Sequence, residues 1–119
     1  MIMKACRWGF YGIVLSLVLG MDGRAWADPA DDAYAEGMRL AKSGLLKEAI
    51  EAFDKAIRLK PTYAEAYAAR GNMRNHLVQN ERAIQDLDEA IRLNPQYTEA
   101  YYSRANAYMD IGHLETALK

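Results

Sequence analysis

The segment from Ala30 to Tyr63 returns 34 residues later as Ala64 to Tyr97, and a third copy opens at Thr98 and runs to Lys119. At that single offset the first two copies share Ala49/Ala83, Ile50/Ile84, Asp54/Asp88, Ala56/Ala90, Ile57/Ile91, Arg58/Arg92, Leu59/Leu93, Pro61/Pro95 and Tyr63/Tyr97. The third begins with Glu99, Ala100, Tyr101, Arg104 and Asn106 where the second has Glu65, Ala66, Tyr67, Arg70 and Asn72. A period of roughly 20 to 50 residues marks a stacked array, in which one unit cannot bury its apolar face alone and its neighbours cover it.

Within the second copy, Ala83, Ile84, Leu87, Ala90 and Ile91 recur at three- and four-residue steps, the spacing of a helix that buries one face. Tyr67, Ala68, Gly71, Arg74 and Asn75 do the same in its first half. The spacing predicts helix pairs over about 30–43 and 46–59, 64–77 and 80–93, and 98–111 with 114 onward. Ser43 with Gly44, the stretch Leu77 to Glu81, and Ile111 with Gly112 are the expected breaks inside each pair. Pro61 and Pro95 end the second helices, because proline has no amide hydrogen and turns the residue before it away from helical geometry. Small residues at fixed repeat positions would let helices approach closely: Ala49/Ala83/Ala117, Ala56/Ala90 and Gly37/Gly71/Ala105. Phe53, Leu87, Tyr67 and Tyr101 would fill the space between them.

The array is preceded by a different kind of sequence. Lys4 and Arg7 come before an uncharged run from Trp8 to Met21, followed by Ala25, Trp26 and Ala27 ahead of Asp28. Positive residues, an apolar stretch and a small-x-small site in that order read as an export signal over residues 1–27, cleaved after Ala27. The run is shorter than the roughly 20 residues that span a membrane. No stable membrane span is therefore expected after cleavage, and an uncleaved inner-membrane anchor is the alternative. A buried core helix is the structural alternative, but Gly12, Gly20 and the lack of a polar face oppose it. The protein is expected in the periplasm or secreted. Cys6 lies within that segment, so the array itself carries no cysteine.

With 15 Lys and Arg against 16 Asp and Glu in 119 residues, no basic surface argues for nucleic acid. His76 and His113 occupy different repeat positions and lack a second ligand at metal spacing. Ser43 and Ser103 have no placed base, and no glycine-rich loop follows a strand. The chain reads as a non-enzyme with no catalytic residues, no metal and no cofactor.

Tyr67, Gly71, Ala83, Leu87, Ala90 and Pro95, with Gly37, Ala49, Phe53, Ala56 and Pro61 in the first copy, resemble the tetratricopeptide repeat. The resemblance covers nearly all of the chain after residue 29. It implies an all-α, right-handed superhelical solenoid of antiparallel helix pairs: repeats 30–63 and 64–97 in full, and 98–119 in part. Three positions depart from the pattern. Ala33 replaces an aromatic, which suggests a less well packed first unit. Arg74 stands where an aromatic or leucine is usual, and Arg70 and Arg104 where leucine is common; stems covering apolar surface with the charge in water would accommodate the last two.

The family's concave face is lined by the first helix of each pair, and the resemblance implies a groove there for a protein or peptide partner. Asp31, Ala35, Met38 and Lys42 from the first copy, Glu65, Ala69, Asn72 and His76 from the second, and Glu99, Ser103, Asn106 and Asp110 from the third share that face, with Tyr34, Tyr102 and Met109 alongside. Asp31, Glu65 and Glu99 hold one repeat position and suggest a neutral or basic segment; carboxylates in a first helical turn also suit the helix dipole, whatever they bind. Asn72 and Asn106 are suited to an extended peptide backbone. Family members that bind chaperone tails use Lys, Asn and Arg for the terminal carboxylate. Tyr34, Met38, Ala69, Glu99 and Ser103 stand at those places here, so that activity is not expected.

The leading expectation is an exported scaffold that holds a peptide segment. The alternative is the N-terminal part of a larger envelope assembly factor or enzyme whose active domain lies beyond Lys119. Self-association through an uncapped C-terminal end is a third.

Overall fold

The computed structural model describes residues 27–117, which form five helices and no strand. They are α1 (Pro29–Lys42), α2 (Leu46–Leu59), α3 (Ala64–His76), α4 (Asn80–Leu93) and α5 (Thr98–Ala117). The export signal expected over 1–27, Cys6 included, lies outside the described residues except for Ala27. α1 packs on α2, α3 on both α2 and α4, and α5 on α4, the pairwise stacking of a helical repeat array.

Each start and stop has a local cause. At the head of α1, the Asp28 carboxylate accepts from the Ala30 amide at 2.9 Å, with Pro29 in the first turn and Asp31 and Asp32 behind it. α1 ends at Gly44, whose φ of +79° lets the amides of Gly44 and Leu45 reach back to the Ala41 and Leu40 carbonyls, both at 3.0 Å. The same motif closes α3 on Val78, whose φ is +59°. There the Val78 amide reaches the Asn75 carbonyl at 3.0 Å and the Gln79 amide the Arg74 carbonyl at 2.8 Å. A β-branched residue in the left-handed region is strained, since its Cβ crowds the following carbonyl. After α2 and α4 the chain turns through Lys60–Pro61 and Asn94–Pro95, and the Tyr63 and Tyr97 amides bond back to the Lys60 and Asn94 carbonyls at 3.1 Å.

Two equivalent cores result. Ala30, Ala33, Ala56, Tyr63 and Ala66 are buried together, with Tyr34 and Ile57 against them. One repeat on, Ala68, Leu87, Ala90 and Ala100 form the next cluster, with Tyr67, Ile91 and Tyr97 against it. Phe53 and Leu87 are fully buried, each under the glycine of the preceding helix. A Cβ on Gly37 would stand 2.5 Å from the Phe53 ring, and one on Gly71 would stand 2.9 Å from Leu87 Cγ. These glycines are needed for close approach rather than for turning.

Four expectations need correction. Ala33 does not leave the first unit loose: it is buried, and Tyr34 beside it stacks on Tyr63 at 5.1 Å and tilts against Phe53 at 5.7 Å. Tyr101 and Ala105 do not pack as Tyr67 and Gly71 do; both are exposed on α5. The charge of Arg70 does not stand in water but is held between Asp54 and Asp86, with 16% of the side chain exposed. Finally, the third pair is not broken at Ile111 and Gly112, because α5 runs unbroken through both. A turn there would surrender backbone hydrogen bonds, and only a following helix packed on α5 would repay them; no such helix is among the described residues.

Candidate functional site

The repeat geometry sets the first helices side by side, with α3 touching both α1 and α5. Two cavities open along this face. One, of about 300 Å³, lies between α1 and α3 and takes Tyr34, Met38, Ala41 and Lys42 from α1. Ala69, Asn72 and Met73 of α3 face them, and Tyr97 and Glu99 close the end. The other, of about 530 Å³, lies between α3 and α5, with Asn72, Asn75 and His76 on one wall. Glu99, Tyr102, Ser103, Asn106, Met109 and Asp110 form the opposite wall. Asn72 and Glu99 line both cavities, so the two are consecutive stations of one groove.

Of the residues the sequence assigns to this face, Tyr34, Met38, Lys42, Ala69, Asn72, His76, Glu99, Tyr102, Ser103, Asn106, Met109 and Asp110 line the cavities. Asp31, Ala35 and Glu65 line neither. The Asp31 carboxylate instead accepts from the Tyr63 hydroxyl at 2.7 Å, a bond that ties the start of the first repeat to its end. Sequence reasoning missed Ala41, Met73, Asn75 and Tyr97. Tyr97 repeats Tyr63, so its place at the repeat boundary was readable, though its facing the groove was not. Asn75 donates from Nδ2 to the Ser103 carbonyl at 3.0 Å, tying α3 to α5, while its buried Oδ1 has no partner among the described residues.

The electrostatics of the groove are mixed, with acids prominent in the larger cavity. Glu99 and Asp110 line it together with His76, and Lys42 lines the smaller one. Burial, then the charge of Glu99, pushes the Tyr97 hydroxyl up to about 12. Burial raises Tyr34 as well, with Glu65 and Glu99 adding to it. Both phenols stay protonated at neutral pH and are available as donors.

Behind the groove lies an ion network that the sequence reading did not anticipate. Arg70 donates to Asp86 through Nε at 3.0 Å and Nη2 at 2.6 Å, and to Asp54 through Nη1 at 2.6 Å. Arg74 adds a third bond to Asp86 at 2.7 Å, and the Asp86 side chain is 5% exposed. Burial works against the charge of Arg70, but its bonds to Asp86 and Asp54 outweigh this and raise its pKa. The signal was present in part: Asp54/Asp88 and Arg70/Arg104 each recur at the repeat offset, 16 residues apart in both copies.

Among the described residues no group of three or more His, Cys, Asp or Glu could hold a metal ion. No described helix is long and apolar enough to cross a membrane. The family model for the TPR repeat matches residues 37–74 and 79–112. The chain belongs to the TPR repeat family. Among solved structures it is similar to the second TPR domain of Spaghetti (RPAP3), bound to the HSP90 peptide SRMEEVD, at 26% identity and a TM-score of 0.70, covering 73% of this chain and 81% of that one. It is also similar to the TPR2B domain of yeast Sti1 in complex with an Hsp70 peptide, at 27% identity and a TM-score of 0.70 over 76% and 72% of the two chains. MamA is similar at 29% identity and a TM-score of 0.69, covering 92% of this chain and 63% of that one. Among curated proteins, no sequence gives a significant match. The TPR fold is typically a non-enzymatic module for protein interaction, and TPR neighbours of this chain hold peptides.

Proposed function

We propose that the chain is an exported TPR adaptor that holds an extended, neutral or basic peptide segment against α1, α3 and α5. The observation that carries this is the pair of cavities joined through Asn72 and Glu99. Solved TPR neighbours in complex with peptides support the mode of binding. The preference in charge is this chain's own. The peptide on the RPAP3 domain has three acids and one base, whereas Glu99 and Asp110 would repel such a segment here. Export is supported by the order Lys4, Arg7, Trp8 to Met21 and Ala25 to Ala27.

Fluorescence anisotropy with labelled SRMEEVD and its counterpart SRMKKVK, in which lysine replaces each of the three acids so that the net charge is reversed, tests the preference. The reversed peptide should bind more tightly; equal or tighter binding of SRMEEVD overturns the charge assignment. Binding of the reversed peptide should weaken in Asn72→Ala with Asn106→Ala, and an unchanged affinity refutes the groove. For export, the N-terminus of the protein from an envelope fraction should begin at Asp28.

A second reading is favoured by the outer face of α5, where Tyr101 and Tyr108 are exposed although the matching Tyr67 and Arg74 of α3, which packs on α4, are half-buried. Another helix would cover it, from a longer chain with further domains or from a second copy. Light scattering at high micromolar concentration distinguishes the last case by its doubled mass.

A further inference from the structure

On α5, Tyr101, Arg104, Ala105 and Tyr108 hold the positions that Tyr67, Arg70, Gly71 and Arg74 hold on α3. The α3 set is covered by α4, whose buried residues include Ala83, Asp86, Leu87 and Ala90. Leu87 lies over Gly71, and the Asp86 carboxylate accepts from Nε and Nη2 of Arg70 at 3.0 and 2.6 Å. On α5, Tyr101, Ala105 and Tyr108 are exposed instead. Arg104 gives Nη1 to Asp88 at 2.7 Å, while its Nε and Nη2 have no acceptor among the described residues. That edge of a guanidinium is a fork of two parallel donors, the geometry that a carboxylate matches. α5 therefore keeps one half of a site whose other half, on α4, is seen one repeat earlier.

The α3–α4 contact is a template for what fits α5, with two changes. Ala105 carries the methyl that at Gly71 would stand 2.9 Å from Leu87 Cγ, so a residue shorter than leucine belongs opposite it. Tyr108 replaces Arg74, so contact with a ring takes the place of the second arginine's bond to the acid. The described chain does not supply such a helix. α3 stops at His76, whereas α5 continues for seven residues, 111 through 117, past the matching Asp110, about 10 Å further along its axis, and does not fold back there. The fitting face of α4 is spent on its own α3. α2 has Ala52 where α4 has Asp86, and a second α5 would bring tyrosines where α4 has alanines.

Resting on the second reading above, that a further helix covers α5, we infer that this helix belongs to a partner protein and is amphipathic, with a carboxylate aimed at Nε and Nη2 of Arg104. Beside the acid it carries a residue no larger than valine over Ala105, and an apolar residue against Tyr108. The groove side chains Tyr102, Asn106 and Asp110 lie on a different face of α5, so the partner helix and a peptide in the groove are held together.

The test uses the full chain and, as probe, a peptide of residues 79–94 from α4 carrying Leu87→Val, held helical by a staple between its exposed positions 81 and 85. Fluorescence anisotropy should show binding, and Asp86→Asn in the probe should weaken it about tenfold or more. On the chain carrying Arg104→Gln, which gives up only an exposed bond to Asp88, the same change should cost less than threefold. Binding that is indifferent to Asp86→Asn overturns the acid requirement and leaves the covering helix standing. A penalty that persists undiminished on Arg104→Gln means that the probe has exchanged with α4 on α3, and overturns the site. A doubled mass of the chain alone in light scattering makes the occupant a second copy, which overturns the partner and again leaves the covering helix standing. No binding of the probe at high micromolar concentration overturns both.

Discussion

Arg70 donates to Asp54 across the boundary between the first two repeats at 2.6 Å, and 34 residues on Arg104 donates to Asp88 at 2.7 Å in the same way. The cation–ring contact recurs with it, Arg70 lying 5.6 Å from the Tyr67 ring centre and Arg104 5.4 Å from that of Tyr101. The surroundings do not recur. Asp86 closes the first pair into a nearly buried network, whereas the Asp88 side chain is 51% exposed and has no comparable second partner among the bonds described.

That contrast fixes the ranking of two substitutions. Removing Asp86 leaves Arg70 and Arg74 partly buried without their shared acceptor, and breaking such a pair costs about 3–5 kcal/mol. Removing Asp88 breaks an exposed pair, worth about 0–1 kcal/mol. Urea unfolding of Asp86→Ala and Asp88→Ala should give these two values in this order. Equal midpoints would mean that burial does not set the worth of these ion pairs.

Much of this fold was legible because the repeat states its own register. Pro61 and Pro95 stop α2 and α4, and both helices have the bounds that the spacing predicts. The line of Tyr34, Met38, Asn72, His76, Glu99, Tyr102 and Asn106 along one face follows from helical spacing within each copy. What was not legible depends on groups distant in sequence. Asp31 looks like Glu65 and Glu99 by position, but the Tyr63 hydroxyl, 32 residues away, engages it. Arg70 looks like a snorkelling residue until Asp54 and Asp86 arrive from two other helices. The unbroken α5 is set by which helices lie beside it, a property that no window around Gly112 contains.

The glycines beneath the two large core residues make a second test. Gly71→Ala brings a methyl 2.9 Å from Leu87 Cγ and 3.2 Å from the Ala83 carbonyl oxygen, while Gly37→Ala meets three atoms of a rigid ring at 2.5 to 2.9 Å. Overpacking costs about 1–3 kcal/mol, against a gain of about 1 kcal/mol in helix propensity. Both variants should be destabilised, Gly37→Ala more, because Leu87 has rotamers to yield with and the Phe53 ring is held by Tyr34. Thermal unfolding followed by circular dichroism reads the order; a rise in melting temperature for Gly37→Ala would refute the packing.

Tyr97, half-buried, and the buried Tyr63 predict an alkaline limit. Tyr97 titrates at about 12 in the folded chain against an ordinary value of 10.0, so the native state keeps a proton that the unfolded state releases between these values. Its contribution to stability is fully present below pH 10 and is lost as pH rises toward 12. Burial, with the bond to Asp31, raises Tyr63 in the same sense. Denaturant midpoints should therefore hold level to about pH 9 and fall above pH 10. In Tyr97→Phe the fall should be shallower, and an identical slope in both proteins would contradict the assignment.

Residues 44, 78 and 112 hold one position of the repeat but have three different backbones or side chains, so substitutions there should differ in sign. Gly44 sits at φ +79°, where an added Cβ is strained although nothing lies within 4 Å, and Gly44→Ala should cost about 1 kcal/mol or more. Val78 sits at φ +59° with its Cβ already strained, and Val78→Gly should stabilise by up to about 1–2 kcal/mol, less the backbone entropy that glycine adds to the unfolded chain. Gly112 is inside α5 with open space around it, so Gly112→Ala should gain about 1 kcal/mol of helix propensity. Urea midpoints of the three variants check the pattern of loss, gain and gain. A loss at Gly112→Ala comparable to that at Gly44→Ala would show that the chain turns at the third position as it does at the first, and α5 would then be two helices.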